Sequence, residues 1–368
     1  MLRETLSVVR DFPRLHDIAS VMIRYGWGDL VRLLGIGNLL EQAGRLLHWH
    51  TTSEIAQLDA PVRIRRALEE LGPTFVKLGQ LLATRVDMFP PQWIAEFEKL
   101  HNHVPAVAYE VMHPHLVKAL GGEPTEVFAE FDSTPMAAAS IAQVYRARLK
   151  DGTAVVVKIR RPGIESKINA DLRILDHVAK LLESEVPDSR RYDPTHIVAQ
   201  FRRSLHRELD LAKEARSLDQ FARHFADDPT VKIPQVYWQY SNAAVNVQEA
   251  LVGIIGVDST RLVEAGLDPV MLAARGANSV LRMVLEQGHF HADPHPGNVI
   301  FMPGNVIGMI DFGMVGVLTE MRRNQIVDLL HAFIDKDEMA LLQVLLDWTG
   351  DTEVDEARLA YEVAELML

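Results

Sequence analysis

The chain has 368 residues, of which 48% are hydrophobic and 24% charged, with a formal net charge of −12 at pH 7. That length holds two or three packed units, and the composition is globular rather than disordered. The acidic balance argues against nucleic acid as a partner, and the lack of cysteine excludes disulfides, thiolate metal sites and a cysteine nucleophile.

Arg3, Glu4 and Asp11 fall early, with no apolar core and cleavage site of a secretory signal, and no run of 18 apolar residues follows anywhere. Residues 14–49 read as amphipathic helices with apolar stripes at Ile18, Val21 and Met22, at Leu30, Val31, Leu33 and Leu34, and at Leu39, Leu40, Leu46 and Leu47. Such stripes face either a neighbouring domain or a membrane surface. Pro73 suits a first helical turn, and the apolar run Phe75 to Leu82 predicts a helix on which Lys77 and Gln80 share a face. On so apolar a helix the Lys77 ammonium either reaches solvent or needs an acidic partner.

From Phe128 the pattern becomes that of strands. Ala137 to Leu149, the Asp151-Gly152 turn signal and the β-branched run Ala154 to Ile159 predict a hairpin. A lysine inside such a strand, Lys158, needs an anion; in kinases the V-A-I-K strand supplies the lysine that holds the α/β-phosphates and pairs with a helix glutamate. Ala137, Ala138, Ala139 and Ser140 stand where a glycine-rich phosphate loop would lie. Alanine disfavours positive φ, which predicts a stiffer loop, closer to a helical turn.

Asp193-Pro194 signals a helix expected to run to about Phe225, carrying the carboxylates Glu208, Asp210 and Glu214. One of these is expected to pair with Lys158, leaving the others to Lys77; the bland alternative is a solvated face balanced by Arg202, Arg203, Arg207 and Lys213. Residues 231–240 and 244–250 read as two further strands completing a small sheet. Gln248, Glu249 and Leu251 then occupy a hinge whose backbone would hold adenine. Helices around Pro269 to Glu286 lead to His291-Ala-Asp-Pro-His-Pro-Gly-Asn298 and Asp311-Phe-Gly313.

In those two stretches Asp293 precedes Asn298 by five residues, and Asp311 follows it by thirteen. These are the positions of the kinase loop H-R-D-x-x-x-x-N and its D-F-G, with Ala292 in place of the arginine. Asp293 is therefore the candidate catalytic residue, and Asn298 and Asp311 the candidate Mg²⁺ ligands beside bound ATP or ADP.

The set Lys77-Leu-Gly-Gln80, Ala137-Ala-Ala-Ser140, Lys158, Glu208-Leu-Asp210 with Glu214, residues 291–298 and Asp311-Phe-Gly313 resembles the UbiB family. Its members are bacterial relatives of the mitochondrial atypical kinases of ubiquinone synthesis. The resemblance covers roughly residues 60 to 340. It implies that Lys77 and Gln80 belong to a helix lying over the acceptor position, with Glu208 and Asp210 holding Lys77 and Glu214 serving Lys158. It also implies that the alanine-rich loop shifts nucleotide preference and restrains ordinary protein phosphorylation.

The expected fold class is α+β: a bilobal protein-kinase-like fold with an N-terminal helical extension. The expected division is 1–125 for the extension, 126–254 for the N-lobe and 255–368 for the C-lobe. Only 57 residues follow Asp311, without an A-P-E motif, so the C-lobe is expected to be incomplete and to lack the family's hydrophobic anchoring tail. The expected function is that of a kinase-like, Mg²⁺-dependent ATPase supporting ubiquinone synthesis at the cytoplasmic face of the inner membrane. Its expected partners are isoprenoid quinone precursors or the enzymes that modify them. Two alternatives stand beside it: a small-molecule phosphotransferase of the aminoglycoside or choline kinase type, whose catalytic loop also reads H-x-D-x-x-P-G-N, and a nucleotide-gated scaffold without turnover.

Overall fold

A computed structural model describes residues 2–36, 55, 57–100, 105–256, 259–350 and 354–367, with backbone alone at 2–10 and 259. The stripe predicted at Leu39, Leu40, Leu46 and Leu47 lies outside the described residues. The chain divides into two compact units, one of residues 1–213 and 237–249, the other of 214–236 and 250–368.

The first unit opens with α1 (Leu2–Arg24), α2 (Gly28–Leu33), α3 (Ala60–Leu71), α4 (Pro73–Ala83) and α5 (Pro91–Phe97). Gly72 joins α3 to α4 at φ +96°, a value that glycine adopts freely, and Pro73 fixes the first turn of α4. Leu68, Leu71, Phe75, Val76 and Phe97 bury together in one cluster. Each large side chain buried there contributes roughly 1.5–3 kcal/mol relative to exposure.

Next come α6 (Tyr109–Leu120), β1 (Phe128–Phe131), β2 (Ala137–Ala138), β3 (Ala142–Leu149) and β4 (Ala154–Arg160). They are followed by α7 (Ile164–Glu185), α8 (Pro194–Glu208) and α9 (Leu211–His224). A two-residue strand, β5 (Val231–Lys232), precedes β6 (Val245–Glu249). The first sheet has the order β1-β3-β4-β6, with β2 paired to β3. One face of this sheet buries Tyr145, Val155, Val157, Ile159, Val245 and Val247 against Met112 and Leu116 of α6. Period-two alternation turns Val156 and Lys158 to the opposite face.

Two expectations are corrected here. Residues 231–240 do not add a strand to the first sheet: β5, itself part of the second unit, pairs in parallel with another strand of that same unit, and Trp238–Tyr240 forms a turn of 3₁₀ helix. The helix predicted from Asp193 to Phe225 is two helices, α8 and α9, parted at Leu209-Asp210. Arg160 Nη1 donates to the Leu209 carbonyl at 2.7 Å, and the Leu211 N–H donates to Ala243 O at 3.1 Å. The Asp210 carboxylate accepts from the Ala212 N–H at 3.2 Å, so it caps the first turn of α9.

The second unit continues with β7 (Ile254–Ile255), α10 (Ser259–Glu264) and α11 (Pro269–Leu281), then a π-helical segment Arg282–Gln287. β8 (His289–His291), β9 (Val299–Met302), β10 (Val306–Met309) and β11 (Val315–Val317) lead to α12 (Glu320–Asp335), α13 (Glu338–Thr349) and α14 (Glu356–Met367). One sheet runs β5-β10-β9-β7, and β8 pairs with β11. Among the described residues no helix is long and apolar enough to cross a membrane.

Candidate active site

The strands of the second unit fold the two C-terminal motifs onto each other. β9 and β10 form an antiparallel hairpin with Val299 opposite Met309, and the Ile310 N–H donates to Asn298 O at 2.9 Å. Asn298 and Asp311, thirteen residues apart in sequence, therefore stand side by side at one end of the hairpin. β8 and β11 close the arrangement, with His291 opposite Val315 and the Ala292 N–H donating to Met314 O at 3.0 Å.

Within the 291–298 loop, Asn298 Nδ2 donates to the Asp293 carbonyl at 3.0 Å, which turns the amide oxygen the other way. The Asp293 N–H donates to His291 Nδ1 at 3.1 Å, and the opposite ring nitrogen of His291 lies 3.3 Å from Ile310 O. The buried imidazole thus ties the loop to the strand end that precedes Asp311. The Asp293 carboxylate is 47% exposed, with the His295 ring 4.0 Å away. Asp311 adopts φ +59°, strained for a residue other than glycine, and its Oδ1 accepts from the Gly313 N–H at 3.2 Å. Phe312 is buried, 4.5 Å from the Phe221 ring of α9 and 4.8 Å from His291. The phenylalanine of the D-F-G stretch therefore anchors the loop to α9, a role that motif spacing does not reveal.

The donors present suit Mg²⁺. Asn298 and Asp311 offer oxygen ligands from two side chains, and Mg²⁺ keeps waters or substrate phosphates in its remaining positions. Among the described residues no group of three or more His, Asp or Glu gathers in the manner of a full protein cage.

Glu214 lies in the first turn of α9 and is only 6% exposed, a burial that a carboxylate tolerates when a cation or donors meet it. In the first unit, Lys158 is half-buried and cross-strand to Val144 and Asn246. Asn246 and Gln248 are buried on its face of the sheet, with Asn246 Nδ2 donating to Gln248 Oε1 at 3.2 Å. Glu249 pairs with Val155 at the end of β6, and Leu251 is half-buried two residues on. The alanine-rich loop is a tight hairpin and not the helical turn expected. Ala137 and Ala138 pair with Val144 and Gln143, the Ala139 N–H donates to Ala142 O at 2.9 Å, and Ser140 is buried. A reverse turn between paired strands meets alanine's preference for negative φ without any helix.

Lys77 Nζ approaches Glu208 Oε1 to 2.9 Å, an ionic contact whose angles are not those of a hydrogen bond. The pair lies within the first unit and joins α4 to the end of α8. Gln80 Nε2 donates to the Leu100 carbonyl at 2.9 Å, holding the segment after α5. Between them, Gly79 brings α4 so close that a Cβ would lie 2.2 Å from Leu100 Cδ1 and 2.9 Å from Leu68 Cδ1. A glycine between two polar residues on an apolar helix is the sequence signal for that close approach, and periodicity alone passes over it.

The ABC1 atypical kinase-like domain family matches residues 99–345. Proteins named "Probable protein kinase UbiB" from Marinobacter nauticus and Azotobacter vinelandii are 37% and 36% identical over 93% of this chain. The chain spans 64% and 66% of the length of those two relatives. The solved structure titled "The complex structure of Rv3197-erythromycin from Mycobacterium tuberculosis" is similar with a TM-score of 0.57 and 22% identity, over 92% of this chain and 81% of that one, which speaks for the fold. With its α+β kinase-like architecture, the chain belongs to the ABC1 atypical kinase-like family, alongside proteins of the UbiB type.

Proposed function

We propose that the chain binds ATP or ADP with Mg²⁺ and hydrolyses or transfers the terminal phosphate in support of ubiquinone synthesis. The observation that carries this reading is the hairpin that sets Asn298 beside Asp311 while Asn298 holds the Asp293 backbone. Asn298 and Asp311 would hold the metal ion, which would supply positive charge to offset the charge that develops on the phosphates. Asp293, on a loop fixed through His291, would orient the attacking hydroxyl or water and accept its proton at the carboxylate. Lys158 would meet the phosphates, with buried Glu214 as its helix partner. Ala137, Ala138, Ala139 and Ser140 would offer backbone N–H groups to them, and Gln248, Glu249 and Leu251 would border the base.

Residues 1–125 would serve as the regulatory extension, 126–254 as the N-lobe and 255–368 as the C-lobe. Lys77, Gln80 and Glu208 would act by fixing α4 to its neighbours, and Asp210 by capping the helix that follows Glu208, an arrangement that would favour quinone precursors or their modifying enzymes over protein acceptors. Work beside the inner membrane suits such apolar partners. Asp311→Asn keeps the shape and removes one carboxylate, so Mg²⁺-dependent ATP hydrolysis should fall at least a hundredfold; unchanged hydrolysis would exclude this reading. Quinone profiling by mass spectrometry in a deletion strain, with and without the chain, should show an early precursor accumulating only in its absence.

A further inference from the structure

A cavity of about 460 Å³ lies within the second unit, walled by α11 on one side and by the catalytic loop on the other. Its lining contains no charged side chain, and its polar members are His291 and Asn298. His291 already engages the Asp293 N–H and the Ile310 carbonyl, and the Asn298 amide N–H is given to Asp293 O. Little hydrogen-bonding capacity therefore faces the space. Its volume falls in the range of small-molecule pockets, and an apolar cavity left unfilled costs stability in proportion to its size.

A second observation marks the space as built. Gly276 stands in the middle of α11, where glycine costs about 1 kcal/mol relative to alanine. It has no positive φ, and a Cβ there would meet only Ile307 Cδ1, at 3.7 Å. Neither backbone conformation nor crowding requires glycine at this position. With Ala273 one turn earlier, it keeps that face of the helix low and the cavity open. The π-helical turn that follows α11 places Met283, a side chain that adapts to varied apolar shapes, in the same wall.

We propose that this cavity is a binding site for a neutral, hydrocarbon-rich small molecule, an alkyl or aryl body without charge, seated against the loop that carries Asp293. The lack of charge in the lining excludes nucleotides, phosphates and organic acids, whose charges would be buried without partners. The inference does not depend on the nucleotide reading.

Fluorescence titration with N-phenyl-1-naphthylamine tests it. The parent chain should give a saturable rise that dodecanol displaces. Gly276→Leu and Ala273→Leu should fill the space, keep or raise the thermal midpoint and weaken probe binding at least tenfold. No saturable binding to the parent chain would overturn the proposal whatever the variants do, as it would if a segment of the protein's own chain filled the space. Undiminished binding by a folded variant would place the probe on other apolar surface and overturn it equally. Asp311→Asn should bind the probe like the parent, so loss of hydrolysis and loss of this site are read separately.

Discussion

Asp171 is fully buried on α7. Its oxygens accept from Arg14 Nε at 2.6 Å and Nη2 at 3.2 Å, and from Thr74 Oγ1 at 2.6 Å, while Arg14 Nη2 also donates to Leu71 O at 2.7 Å. One carboxylate thus joins α1, α4 and α7. Removing one member of a buried ion pair leaves the other charge without compensation, so Asp171→Ala should cost about 3–5 kcal/mol in urea unfolding. Thr74→Val should cost about 1–3 kcal/mol. A loss under about 1 kcal/mol in the first variant would show that solvent reaches Arg14. Nothing local in the sequence announces this group, since Asp171 sits among Glu165, Lys167, Asp176 and Lys180 and reads as one more charge on a solvated helix. Lys77 is legible because its own helix is apolar, and a charge on such a surface demands a partner that Glu208 supplies.

Two glycines within helices carry opposite expectations. Gly79→Ala forces a methyl group against Leu100 and Leu68, and the resulting overpacking should cost about 1–3 kcal/mol. Gly276→Ala adds a methyl group at ordinary contact distance and should stabilise by up to about 1 kcal/mol. Thermal unfolding of the two variants checks both signs. The break between α8 and α9 belongs to the same scale. Periodicity runs through Leu205, Leu209 and Leu211 without a glycine or proline, which is why it predicts one long helix. The capping potential of Asp210 is the sequence signal for the break, and Asp210→Ala should cost about 1 kcal/mol in the same assay. The β3–β4 hairpin is readable because Asp-Gly and alternation agree, whereas β5 is two residues long and exists only through its pairing with β10.

At the scale of the whole molecule, three histidines among the described residues couple stability to pH. Burial holds the His289 imidazole below its ordinary range, with His224 nearby adding to the effect. Burial also lowers His224, assisted by Arg223 and Arg282, while the Gln287 side chain acts in the opposite sense. Burial lowers His115 too, with Arg160 and Lys118 adding to it. All three pKa values are depressed, so as pH falls below about 6.5 the unfolded chain takes up protons that the folded chain does not. Their contribution is thus fully present above that pH and is lost on acidification. The thermal midpoint should be lower at about pH 5.5 than at about pH 7.5, on either side of the ordinary histidine range. His289→Phe, which preserves the stack on Phe221, should narrow the difference. An equal pH dependence in parent and variant would assign the effect to carboxylates.

The kinase-like class, the 291–298 motif and the family were determined by the sequence itself, because those residues stand at fixed spacings along one stretch of backbone. The hinge between α8 and α9, the reverse turn at Ala137 to Ala139, the anchoring of Phe312 on Phe221 and the cavity beside Gly276 were decided by tertiary structure. Each depends on what a distant element places opposite it, and neither periodicity nor propensity carries that information.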